Sequence, residues 1–156
     1  MIELTIPGFA ELTLERLILD FNGVLAVDGE VAAGVADLLR VLAPSLALQV
    51  ITADTHGTCR DKLAGLPVEV HTLGEGPEDL AKLRFLEKVG PESSAALGNG
   101  RNDRLMLARA ALGVAVLGEE GAASSAIVAA DITVPGIIPA LELFLKPLRI
   151  KAGLRV

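Results

Sequence analysis

Apolar residues recur along the chain with two periods in turn: short continuous or alternating runs of strand type, then stretches spaced three and four residues apart. Glu3-Leu4-Thr5-Ile6 and Glu11-Leu12-Thr13-Leu14 alternate around Pro7-Gly8, which predicts a β-hairpin. Arg16 to Asp20 reads as the first buried strand. Val31, Val35, Leu38, Leu39 and Leu42 lie at helical spacing and predict a helix over 31–42, ending before Pro44. A strand over 47–51, a short helix over 55–64 and a strand over 68–72 follow. Pro77 then opens a helix to about residue 89, with Gly90 beyond its end. The alternation continues with a strand over 94–97, a helix over 103–111 closed by Gly113, and a strand over 114–117. A helix over 122–129, a strand over 132–134 and a helix over 137–145 complete it.

Strands alternating with helices predict an α/β fold: a three-layer, doubly wound parallel sheet covered on both faces. Right-handed crossovers are then expected. No internal repeat or linker interrupts the pattern, so the expectation is a single domain over 1–156, with a hairpin extension over 1–15 and a core over 16–145.

Composition narrows the function. The 156 residues carry 14 basic and 20 acidic side chains, a formal charge of −6, with no Trp, no Tyr and four Phe. Nucleic-acid binding calls for a basic footprint and commonly for aromatic stacking surfaces, and neither is present. Mean hydropathy is +0.53, yet the charge-free run from Val41 to Ala53 is interrupted by Pro44, Ser45 and Gln49. It falls short of the roughly 18 apolar residues a spanning helix needs. Met1 to Ile6 lacks the basic start and cleavage site of a secretory signal, so a cytoplasmic, membrane-free protein is expected. The single Cys59 can form no internal disulfide and reads as a helix thiol, not a nucleophile.

The chemistry-bearing residues sit at junctions. Asp20 ends the first strand and precedes Phe21-Asn22-Gly23; Thr52 ends the second and precedes Ala53-Asp54. Lys82 lies on the helix before the fourth strand, and Gly98-Asn99-Gly100-Arg101-Asn102-Asp103 follows that strand directly. In a parallel sheet, ligand-binding groups collect at the carboxyl ends of strands. A carboxylate, a hydroxyl, an ammonium and an amide/carboxylate loop on one rim suit a phosphoryl group held against a divalent cation, where positioning and charge neutralisation dominate catalysis. Taken singly, Thr52 and Lys82 also read as an ordinary strand-end hydroxyl and a solvated helix residue. His56 reads as a loop residue near the rim and His71 as a strand residue, while Asp28 and Asp54 read as turn residues.

Asp20-Phe21-Asn22-Gly23-Val24, Thr52, Lys82 and the 98–103 segment together resemble the four ordered motifs of the haloacid dehalogenase-like (HAD) superfamily. The last motif, followed by Arg104-Leu105-Met106-Leu107, is similar to that of the P-domain of P-type ATPases and of small soluble proteins like it. The resemblance covers roughly residues 16–145. It implies a Rossmannoid fold in which Asp20 is the nucleophile that becomes an aspartyl phosphate. It further implies that Asn22, Thr52 and Lys82 share the catalytic site, and that Gly23, Thr52, Ala53, Lys82 and Asn102 bind the phosphate, Asn102 by positioning its loop. Asp20, Asn22 through its carbonyl, Asn99 and Asp103 would hold Mg²⁺, a hard cation that prefers oxygen ligands. Lys88, further along the same predicted helix, competes for the place of Lys82.

Two residues depart from the pattern. Asn22 stands where HAD phosphatases normally carry the Asp that protonates the leaving group and activates water, assistance typically worth about 10²–10⁴ in rate. Asn99 stands where a metal-binding Asp is usual. The resemblance therefore implies a slow Mg²⁺-dependent phosphohydrolase or phosphoryl-transfer enzyme, with a catalytically weakened binding or regulatory module as the alternative. A Rossmann cofactor site fits poorly, because Asp103 occupies the place of the third Gly. A receiver domain fits poorly as well, because Asp20 has no acidic neighbour. The gaps from Asp20 to Thr52 and from Thr52 to Lys82 are too short for a cap domain. An open site implies a phosphorylated small molecule or a phosphoprotein as partner, with the N-terminal hairpin and the 134–148 segment as candidate homo-oligomer surfaces.

Overall fold

The computed structural model describes residues 1–54 and 57–156. Strands β1 (Ile2–Ile6) and β2 (Ala10–Leu14) form an antiparallel hairpin, with Ile2 opposite Leu14 and Ile6 opposite Ala10. β3 (Arg16–Asp20) enters the main sheet, and β4 (Ala26–Val27) and β5 (Glu30–Val31) make a second small hairpin just beyond it. Then come α1 (Val35–Leu42), β6 (Ala47–Thr52), α2 (Thr58–Lys62), β7 (Glu69–Thr72) and α3 (Glu78–Val89). β8 (Ser94–Gly98) leads through a 3-10 turn over Arg101–Asp103 into α4 (Arg104–Arg109). β9 (Leu112–Val116), α5 (Ser124–Ala129), β10 (Ile132–Val134), α6 (Ile137–Leu145) and α7 (Leu148–Leu154) finish the chain.

The main sheet has six parallel strands in the order β10-β9-β8-β3-β6-β7. Alternation along β3 supplies both cores. Leu17 and Leu19 point into the larger cluster with α1 and α6, while Ile18 points to the other face with Leu86, Met106, Leu107 and Ala126. Such full burial contributes about 1.5–3 kcal/mol per large aliphatic side chain. From β3 the chain moves to β6 and β7 on one side and returns to β8 on the other. The strand order therefore reverses between β3 and β8, the place where α/β sheets open a crevice at their carboxyl ends.

The N-terminal hairpin lies toward the opposite rim, where the Glu15 N–H donates to the Ser93 carbonyl and the Ala47 N–H to that of Glu15. Its Ile2, Ile6, Leu12 and Leu14 belong to the chain's own core, as do Ile137, Leu141 and Phe144 of α6. Much of the apolar side of both segments expected as oligomer surfaces thus packs within the chain, while Phe9 and Leu148 remain exposed.

Several boundaries differ from the sequence expectation. Val31 belongs to β5, and the helix begins only at Val35, because Gly34 turns the chain at φ +84°. Two-residue strands are too short to show a period, so the β4-β5 hairpin is invisible to one. The expected helix over 55–64 contracts to Thr58–Lys62, its proposed start at Thr55 lying outside the described residues. Gly113 does not close a helix but lies within β9, where a Cβ would strike the Leu107 carbonyl. The glycine lets α4 and the strand approach closely. α7 has no counterpart in the sequence expectation.

Candidate active site

The carboxyl ends of β3, β6 and β8 bring Asp20, Thr52 and Gly98 to one rim. Asp20 is 8% exposed; its Oδ1 accepts the Phe21 N–H at 2.9 Å and lies 3.0 Å from Lys82 Nζ. Lys82 reaches it from α3, whose inward face carries Lys82 and Leu86 at i and i+4. The aliphatic stem is buried and the ammonium ends between two carboxylates, with Asp103 Oδ1 at 2.6 Å. The other Asp103 oxygen accepts the N–H groups of Asn99 at 3.0 Å and Gly100 at 2.8 Å. Gly98 is required here, since a Cβ would meet the Asp103 carboxyl. Lys88 is exposed, so Lys82 occupies the place for which the two lysines competed.

Two carboxylates and one ammonium in a buried site leave an excess negative charge. Burial, and next the charge of Asp103, push Asp20 up to about 7, against the opposing pull of Lys82 and the Phe21 N–H. Burial alone would lower Lys82, but the charges of Asp20 and Asp103 outweigh it and hold the ammonium above its usual range. The trio therefore keeps its lysine charged and leaves Asp20 poised to gain or lose a proton near neutrality.

Outward from Asp20 the site opens. Asn22 is exposed and, with Phe21, Gly29, Ala53, Asp54 and Thr58, lines a hollow of about 390 Å³. Thr52 is buried, its Oγ1 accepting the Asp54 N–H at 3.1 Å. Asp54 Oδ2 in turn accepts the Cys59 N–H at 2.7 Å. Burial and then Asp54 raise the Cys59 thiol to about 11. Gly23 turns at φ +75° with the Asn99 amide against it, so close that a Cβ would collide with Asn99 Nδ2. That amide also donates to the Gly121 carbonyl at 3.2 Å.

Other candidates lie elsewhere. His71 is on β7, its ring 4.7 Å from that of Phe85, and His56 lies outside the described residues. Asp28 sits in a turn at φ +51°, its N–H held by Glu120. Asn102, expected to position its loop, donates to Glu78 Oε2 at 2.5 Å and so tethers that loop to α3. Asp103, expected as a metal ligand, is fully buried and spends its oxygens on Lys82 and two backbone N–H groups. Sequence reasoning assigned no role to Glu78, Asp79 or Arg104, although the first two precede Lys82 by four and three residues.

No family model matches the chain. It is 45% identical over 84 residues to an uncharacterized protein of Methanocaldococcus jannaschii, covering 51% of this chain and 90% of that one. Among solved structures it is similar to the cobalt-bound deoxy-D-mannose-octulosonate 8-phosphate phosphatase of Haemophilus influenzae (TM-score 0.70, 16% identity, 86% of this chain and 88% of that one). The corresponding phosphatase of Moraxella catarrhalis, with magnesium, phosphate and KDO bound, gives TM-score 0.66 at 17% identity over 85% of this chain and 86% of that one. The chain belongs to the family of the archaeal protein and has the HAD-superfamily fold. A zinc-transporting PIB-type ATPase carries the same fold in 20% of its length, matching 78% of this chain at TM-score 0.63 and 22% identity. No helix among the described residues is long and apolar enough to cross a membrane.

One of these solved neighbours holds cobalt and another magnesium, and the donor set here would suit Mg²⁺ in one restricted way. Among the described residues no three His, Cys, Asp or Glu side chains cluster as a metal cage. Asp20 supplies a carboxylate at the end of β3, and the amide of Asn99 lies against the turn at Gly23 that follows. A carboxylate plus neutral oxygens fits Mg²⁺, which keeps several waters and takes further ligands from a substrate phosphate.

Proposed function

We propose that the chain is a phosphohydrolase or phosphoryl-transfer enzyme that works through an aspartyl phosphate on Asp20 and releases it slowly. The observation that carries this reading is the ammonium of Lys82, 3.0 Å from Asp20 Oδ1 at the point where the strand order reverses. Ionised Asp20 attacks the phosphorus of a phosphate ester or anhydride; the new oxygen–phosphorus bond forms as the bond to the leaving group breaks. Lys82 neutralises charge between nucleophile and phosphoryl group, and the Thr52 hydroxyl donates to a phosphoryl oxygen. Asp103 holds Lys82 charged and in place. Mg²⁺, held by Asp20, the Asn22 carbonyl and Asn99, would supply further charge neutralisation.

Asn22 cannot give the leaving group a proton or take one from water. Good leaving groups such as acetate depart without that help, while hydrolysis of the aspartyl phosphate loses it. Turnover of acetyl phosphate and para-nitrophenyl phosphate with Mg²⁺ tests the reading: wild type should react slowly and Asp20→Asn not at all. Indistinguishable rates for the two proteins, at the level of buffer and with no trapped phosphoenzyme, would sink it. That result would favour a binding module, the reading suggested by amides at both Asn22 and Asn99.

A further inference from the structure

The first turns of α3 grip the 3-10 turn and the start of α4 residue by residue. Glu78 Oε2 accepts from Asn102 Nδ2 at 2.5 Å, Lys82 Nζ donates to Asp103 Oδ1 at 2.6 Å, and Asp79 Oδ2 pairs with Arg104 Nη2 at 2.9 Å. Residues 102, 103 and 104 thus each have a partner on one helix, whose residues 78, 79 and 82 share a face by their spacing of three and four. The outer pair is more than a surface contact. Arg104 also donates through Nη1 to the Arg101 carbonyl at 3.1 Å, and Asp79 Oδ1 accepts the Leu80 N–H at 2.8 Å. One ion pair therefore joins the backbone of the 3-10 turn to the backbone at the start of α3.

We propose that Asp79 and Arg104 are positioning residues that fix the place of Lys82 Nζ between Asp20 and Asp103, and through it the rate of phosphoryl transfer. The inference rests on the phosphoryl-transfer reading of the site. A lysine is a point charge on a flexible four-carbon stem, so its head goes where its helix backbone permits. Asp79 lies one turn before Lys82 on that backbone, and Arg104 directly follows Asp103. A small displacement of α3 against the 3-10 turn would lengthen both contacts of the ammonium together. The Arg109–Glu87 pair at 2.7 Å joins the same two helices at the far end, away from Lys82, and supplies the control.

The test uses the full chain labelled with ¹⁵N-lysine, with the Lys82 ammonium resonance assigned by its loss in Lys82→Met. Wild type should show that resonance protected from solvent exchange. Asp79→Asn and Arg104→Gln should each shift and weaken it, and should lower the single-turnover rate of phosphoenzyme formation from acetyl phosphate with Mg²⁺ about tenfold. Asp79→Glu, which keeps the charge, should restore both readouts, and Glu87→Gln should leave both at wild-type values. An unaltered Lys82 resonance in Asp79→Asn and Arg104→Gln would overturn the proposal, as would an equal effect from Glu87→Gln. Should Asp79→Asn not fold, Arg104→Gln removes the same pair from the other helix and decides the matter. If wild type forms no phosphoenzyme and shows no turnover, the phosphoryl-transfer reading fails by itself, and the resonance still judges the positioning role.

Discussion

The inner and outer halves of the site are built on opposite principles. On the inner side of Asp20 the ionisable groups are buried and paired: Lys82 with two carboxylates, Asp103 with an ammonium and two backbone N–H groups. On the outer side Asn22 and Ala53 are exposed around an open hollow, and the Asn22 amide can act as neither general acid nor general base. The inner half neutralises charge without reorganising at the moment of reaction. The outer half leaves the handling of water and leaving group to solvent. On the proposed function, such a site would accept a phosphoryl group more readily than it would release one.

The comparison breaks most severely at Lys82. Lys82→Met leaves Asp20 and Asp103 facing each other without a cation, and unpairing buried charges typically costs about 3–5 kcal/mol. Denaturant unfolding should register that loss, and phosphoryl transfer should fall by at least about 10²-fold. Asn22→Asp works on the other half: it should accelerate dephosphorylation of the phosphoenzyme by about 10²–10⁴ while leaving its formation from acetyl phosphate nearly unchanged. Equal acceleration of both steps would show that the outer half already limits transfer. Gly23→Ala disturbs the seam between the halves. It forces a Cβ into a left-handed turn against Asn99, a strain of about 1–3 kcal/mol that thermal unfolding would detect.

A further effect is on stability against pH. Asp20 titrates near 3.8 in an unfolded chain and about 7 in the fold. Its contribution is therefore fully present below the unfolded value and is lost as pH rises through the folded one. With chelator present, melting temperature should decline from about pH 5 to about pH 8, and Asp20→Asn should flatten that decline. A wild-type curve that rises over this range would contradict the buried, proton-sharing trio.

Much of this architecture is legible in the residues. Apolar runs such as Leu17-Ile18-Leu19 mark central strands because both faces of a parallel sheet are covered, and Asp20 at the end of one is conspicuous for that reason. Lys82 is different. Nothing in the spacing of α3 separates it from Lys88, and only the resemblance of four motifs picks it out; burial against Asp20 then distinguishes the two. Glu78, Asp79 and Arg104 look like ordinary surface charges in sequence, because their significance lies in which backbone each one reaches. The β4-β5 hairpin escapes notice because two residues cannot show a period, and Gly113 misleads because a glycine needed for close packing resembles one that ends a helix.

The central claim, capture of a phosphoryl group on Asp20 with slow release, is tested most directly by intact-protein mass spectrometry. The chain is incubated with acetyl phosphate and Mg²⁺, quenched in acid and weighed. Wild type should gain the mass of one phosphoryl group, retained long after the donor is removed; Asn22→Asp should gain it and lose it rapidly, and Asp20→Asn should never gain it. A wild-type chain that stays unmodified at saturating donor, or an adduct that survives in Asp20→Asn, would contradict the account.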